Sequence, residues 1–190
     1  MRTNNKGWDY CGNAQASVDA TCQIILACDV TDASNDKQQA EPVAQATMSI
    51  LAQAGIERPI DASGTAQAIP ATLDNGSDSE AAVEALETLG FDPYIATERQ
   101  RHHGLQAEAS APPATAQERM AAKVRTPAGK ALYSRRKVIV EPVFGQIKEA
   151  RGFRRFLLRG LAHIRGEWRL VCLTHNLLKM WRYGRVLSVA

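Results

Sequence analysis

A chain of 190 residues, 45% of them hydrophobic, has room for one domain or one domain with an extension, and enough apolar content to bury a core. Its net charge of +3 hides two opposed halves: from Gln117 onward 17 Lys and Arg stand against 4 Asp and Glu, while the residues before it hold 6 against 16. A membrane span is excluded by the absence of any long apolar run, and nothing at the N-terminus resembles a signal segment, so the expected setting is the cytoplasm, nucleoid-associated and with no membrane partner.

In chain order, Asn13 to Asp19 alternates loosely and Cys22 to Val30 is apolar and β-branched, so the two are expected as neighbouring antiparallel strands. Asp32 to Asn35 is turn-forming, and a helix is expected over Asp36 to Ala54, stopped by Gly55. Pro42 would delay its start. Residues 56 to 69 read as a loop. A short strand over Ala68 to Leu73 ends at Asp74-Asn75-Gly76. Ser79 to Leu89 carries a capping serine, early acids, Val83, Leu86 and Leu89 on one face, and Gly90 as stop, which predicts a helix. Pro93 to Ala96 reads as a strand. From Thr97 to Thr115 the chain is charged and then Ala/Pro/Ser-rich, an exposed loop or insertion.

A helix is expected over Ala116 to Val124, broken at Thr126-Pro127; a long basic segment follows from Gly129, and Trp168 to Trp181 forms the last helix. Strands alternating with helices predict an α/β fold. Cys11, Cys22, Cys28 and Cys172 show neither a C-x-x-C pair nor zinc spacing, and are expected as free thiols. His102-His103 lacks metal-partner spacing and reads as a loop pair.

The chemistry-bearing residues gather in the basic half. Tyr133, Lys137, Glu141 and Lys148 follow one another in steps of four, four and seven, which return to one side of a helix. One carboxylate among many cations suits an enzyme that holds a divalent ion against a polyphosphate backbone. The same pattern also arises from a Glu pairing with Lys137 or Lys148 on a solvated face. Downstream, Arg151, Arg154, Arg155 and Arg159, with Arg165 and Arg169, interleave with Phe153, Phe156 and Trp168. Such charge density suggests phosphate contact, and the two phenylalanines read as core.

Taken collinearly, G-N-A-Q-A-S-V-D, Q-I-I-L-A-C-D-V-T-D, L-D-N-G-S-D-S-E, P-Y-I-A-T-E-R-Q, V-E-P-V-F-G-Q-I-K, R-G-F-R-R-F-L-L-R-G-L and E-W-R-L-V-C-L-T-H-N-L-L-K resemble the C-terminal part of bacterial insertion-sequence transposases of the DDE type. The resemblance implies a ribonuclease-H-like core in residues 1–96, a loop or insertion in 97–116, and a basic helical extension in 117–190. It implies DNA as partner (transposon ends and target), a possible homo-oligomer or full-length transposase as a further partner, and Mg2+ or Mn2+ held between three carboxylates. Asp74 matches the second Asp, with Ser77 where the family has Tyr, and Glu141 matches the catalytic Glu; both are the implied metal ligands.

The implied DNA-contact residues are Tyr133, Lys137, Lys148, Arg151, Arg154, Arg155 and Arg159. The family signature runs Tyr, two residues, Arg, three residues, Glu, six residues, Lys. One extra residue here separates Arg136 from Glu141. Helical angles put Arg136 on the apolar side with Ile139, Val143 and Ile147, so Lys137 takes the basic role. Pro142 is expected to disturb the helix just after Glu141. No residue matches the first Asp, since Asp19, Asp29 and Asp36 fall in the wrong places. The expectation is a truncated fragment lacking its first core strand and one metal ligand, inactive alone. The alternative is a non-catalytic remnant that binds DNA or a full-length transposase.

Overall fold

The computed structural model describes residues 12–33, 38–74, 79–95 and 115–187. They form a mixed α/β protein of two compact units, one drawn from residues 1–35, 43–54 and 137–190, the other from 36–42 and 55–136.

In the first unit, β1 (Asn13–Val18) runs antiparallel to β2 (Ile25–Thr31), with Asn13 opposite Thr31 and an irregularity at Ser17/Val18. The pairing is as expected, but β2 starts three residues later than the apolar run. The Asp19 carboxylate takes the N–H groups of Thr21 and Cys22 at 3.0 and 2.6 Å, and Gln23 sits at φ +57°. Those interactions hold Cys22 and Gln23 in a turn. A non-glycine residue in the left-handed region is uncommon, and nothing in the local sequence announces it.

The last helix, α6, spans Leu161–Leu187, far longer than Trp168 to Trp181. The chain break falls at Gly160 (φ +86°), while Gly166 is absorbed into the helix. This helix lies along β2. Asn176 closes the hydrogen bonding of Ile25, accepting its N–H and donating to its carbonyl, both at 2.8 Å. Arg165 fastens the other end of the strand, donating to the Val30 carbonyl at 2.9 Å and pairing with the Asp29 carboxylate at 3.0 Å. Between those clamps Ile25, Val30, Trp168, Val171 and Cys172 make a core that Val143 and Ile147 complete. Trp168 fills its centre and donates to the Gln15 carbonyl at 3.1 Å. Helix α1 (Ala40–Gln53) starts after Asp36, in keeping with Pro42 in its first turn, and Gly55 ends it at φ +67°. From α1, the Thr47 hydroxyl lies 2.7 Å from Ser17.

In the second unit, β3 (Ile69–Leu73) and β4 (Phe91–Ile95) are parallel and connected through α2 (Glu80–Thr88). Ser79 caps α2 by accepting the Ala82 N–H, as its sequence predicts. Helices α3 (Ala116–Arg125) and α4 (Pro127–Ser134) meet at Thr126, which ends one and caps the next. The junction is tight: a Cβ on Gly129 would stand 2.0 Å from the Lys123 carbonyl oxygen. Lys123 fixes α3 to β4 through an ion pair with Asp92, a 3.0 Å bond to the Pro93 carbonyl and a place over the Tyr94 ring. Burial, and then Asp92, pushes the Tyr94 phenol up. Among the described residues each sheet has two strands. Cys22, Cys28 and Cys172 are free thiols; Cys11, Asp36, Ser77 and the His102-His103 pair lie outside the described residues.

Candidate functional site

Asp74 follows directly on β3 and is exposed. Its carboxylate meets the Arg136 guanidinium at 3.4 Å, and that guanidinium lies 5.6 Å from the centre of the Tyr133 ring. Arg136, directly before the Lys137 expected in the basic role, thus draws two of the candidate residues together. The signal was present: Tyr133 and Arg136 keep the three-residue interval that places them one helical turn apart. Asp74 contributes modestly to stability here, since its side chain is 69% exposed and water competes for the pair.

Tyr133, Lys137, Glu141 and Lys148 do not share one regular helix. Tyr133 belongs to α4, which ends at Ser134; Lys137 and Glu141 lie on α5 (Arg136–Gly145); Lys148 lies on a π-helical turn over Gln146–Ala150. That turn closes with the Arg151 N–H on the Gln146 carbonyl at 3.0 Å. It holds one residue more than an α-turn, so seven residues after Glu141 is no longer two regular turns. Ile139, Val143 and Ile147 are buried and set the rotation of the segment, which leaves Lys137, Glu141 and Lys148 exposed.

Pro142 has no N–H to give the Val138 carbonyl one turn back. Gln23 supplies the donor instead, its Nε2 at 2.9 Å. The same side chain accepts from Lys179 Nζ at 2.6 Å, and the Gln23 carbonyl takes His175 Nε2–H at 3.0 Å. The turn before β2 therefore ties the Glu141 segment to α6. His175 and Lys179 are both buried. Burial lowers the His175 pKa, with Lys179 and Arg151 acting the same way against the pull of the Gln23 carbonyl. Burial, then Arg182, lowers that of Lys179.

Beyond the π turn, residues 151–160 form a loop bracketed by Gly152 and Gly160 in the left-handed region, where a side chain would be strained. Phe153 and Phe156 pack edge-to-face on each other and both lie against Trp168, so they belong to the core as their sequence setting suggests. Arg151 reaches across to α6, donating to the Val171 carbonyl at 3.0 Å and to the Thr174 hydroxyl. Arg154 pairs with Glu149. Arg155 and Arg159 are exposed, and Glu167 accepts the N–H groups of Leu157 and Leu158 at 3.0 to 3.1 Å.

Metal ligation finds little support in this arrangement. Among the described residues no three His, Cys, Asp or Glu side chains converge to hold an ion. Asp19 is occupied by its turn and Asp29 by Arg165.

Residues 96–181 match the family of transposase DDE domains. This stretch belongs to that family. The transposase DDE-domain match takes in Tyr133, Lys137, Glu141, Lys148 and the arginine loop, and it begins after Asp74, whose assignment rests on the motif alone. No curated protein and no solved structure matches the chain. No helix among the described residues is long and apolar enough to cross a membrane.

Proposed function

We infer that this chain acts on DNA as part of a DDE-type transposase, with Glu141 as the carboxylate of the reaction centre and Lys137, Lys148, Arg155 and Arg159 holding the phosphate backbone. The observation that carries the reading is the placement of Glu141: it lies inside the transposase DDE-domain match, exposed, one turn after Lys137. Asp74 is assigned as the second carboxylate, in a ribonuclease-H-like core, on its sequence setting after β3. Divalent ions supply charge stabilisation and an activated nucleophile in this family. The described residues do not build a three-ligand site, and the chain alone is assigned to DNA binding without strand transfer.

The arginines divide by geometry. Arg151, Arg154, Arg155 and Arg159 are all exposed, but Arg151 donates to the α6 backbone and Arg154 pairs with Glu149. Four exposed cations at phosphates would give a log–log salt slope of about −3.5 on duplex DNA.

The test is retention of transposon-end duplex over a salt series, with nicking assayed in Mg2+ or Mn2+. Salt-sensitive binding without cleavage is expected. Robust cleavage that Glu141→Ala abolishes would show a complete metal site, and binding indifferent to salt would remove the DNA assignment. A second reading, a non-catalytic remnant that occupies DNA or a full-length transposase, is favoured by the engagement of Asp74 with Arg136. DNA retention unchanged by Asp74→Ala and Glu141→Ala would support it.

A further inference from the structure

Two large apolar side chains stand out on the arginine loop. Leu157 is 73% exposed and Leu158 51%, although the N–H groups of both are bonded to the Glu167 carboxylate. Glu167 holds both N–H groups, Phe153 and Phe156 fix the preceding residues to Trp168, and the flanking glycines set the bends. Cations frame the pair: Arg154 and Arg155 precede it, and Arg159 follows directly. A loop free to move could fold two leucines inward onto the apolar core. This one is held so that they project.

We propose that Leu157 and Leu158 are a wedge that enters an opened base step of duplex DNA, while Arg155 and Arg159 grip the phosphates on either side. This rests on the DNA-binding reading above. Charge selects the occupant, because an apolar pair between arginines complements a polyanion whose interior is apolar base faces. One or two apolar side chains suffice to part a base step. Stiffness is a further requirement, since unstacking a step costs free energy and a yielding loop would fold back instead. The anchoring by Glu167 meets it.

A wedge binds best where pairing is already broken. The full chain should prefer a duplex with one mismatch over its matched counterpart by about tenfold or more, because the mismatch removes part of the unstacking cost. A 2-aminopurine beside the mismatch should brighten on binding. Leu157→Ser with Leu158→Ser should abolish both the preference and the brightening and leave the salt slope unchanged, and the Met pair should restore them.

Persistence of the preference in the serine variant overturns the wedge. So does salt-sensitive binding by the wild type with no preference and no brightening, which leaves the DNA reading standing. A change of association state in the serine variant, seen by sedimentation without DNA, would make the pair a protein contact and also overturn it. Failure of the wild type to bind any duplex would take down the DNA reading itself.

Discussion

Gln23 is the residue whose replacement tests the architecture around Glu141 most directly. Gln23→Met keeps the side-chain length and removes both polar ends. One loss is the 2.9 Å bond to the Val138 carbonyl, an exposed contact that water can replace, so about 0.5 kcal/mol is at stake. The other is the 2.6 Å acceptor for Lys179, a residue only 6% exposed. A hydrogen bond to a charged group contributes about 1.5–3 kcal/mol, and the loss is the greater when the charge stays buried without its partner.

The expected destabilisation is about 2–3 kcal/mol, read by urea denaturation through tryptophan fluorescence, to which Trp168 in the same unit reports. Lys179→Met alone leaves the Gln23 oxygen unfilled. The double substitution removes both halves, and should cost clearly less than the two single effects added. A loss under about 0.5 kcal/mol for Gln23→Met, or strict additivity in the double variant, would refute the argument that this side chain ties α5 to α6.

Other outcomes follow from the same geometry. His175 has a folded-state pKa below its usual 6.5, so the unfolded chain binds the proton more readily. Its contribution is present above pH 6.5 and is lost as the pH falls below that value towards the folded pKa; His175→Gln should flatten this part of a stability-versus-pH curve. Gly129→Ala should destabilise the second unit by roughly 1–3 kcal/mol or more by thermal melt, because the new methyl meets a backbone oxygen that cannot step aside. Arg155→Gln with Arg159→Gln should reduce the magnitude of the salt slope of DNA binding by about 1.8, whereas Arg151→Gln should act mainly on stability through the α6 backbone.

Where a single residue announces its own backbone state, the sequence was readable. Ser79 and Gly90 bracketed α2, Pro42 deferred α1, and the apolar triplet Ile139, Val143 and Ile147 gave the facing of α5. The capping box of Thr115 and Glu118 was equally legible, and would have fixed the start of α3 independently. What escaped depended on partners distant in the chain. Gln23 adopts a left-handed conformation because His175 and Lys179, more than 150 residues away, complete its hydrogen bonds. The first turns of α6, rich in arginine and holding Gly166, lie in the basic segment ahead of the expected Trp168 to Trp181 helix, yet Arg165 and Glu167 give that helix its place by fastening β2 and the arginine loop.

For the candidate site, helical angles gave the exposure of Lys137 and Glu141, opposite the buried Ile139, Val143 and Ile147. Periodicity could not tell which arginines of the basic run have partners within the chain. Arg151, committed to backbone, and Arg155, facing water, look alike on paper.

The proline after Glu141 has an evolutionary corollary. A helix that lacks one of its own donors hands that duty to a glutamine in a far turn, so positions 23 and 142 are bound in a single exchange. Relatives with an ordinary amino acid at 142 recover the missing bond for themselves, so the side chain at 23 loses its duty as donor while its oxygen still serves Lys179. Aligned sequences should keep an acceptor at 23 and need its amide donor only where 142 is proline.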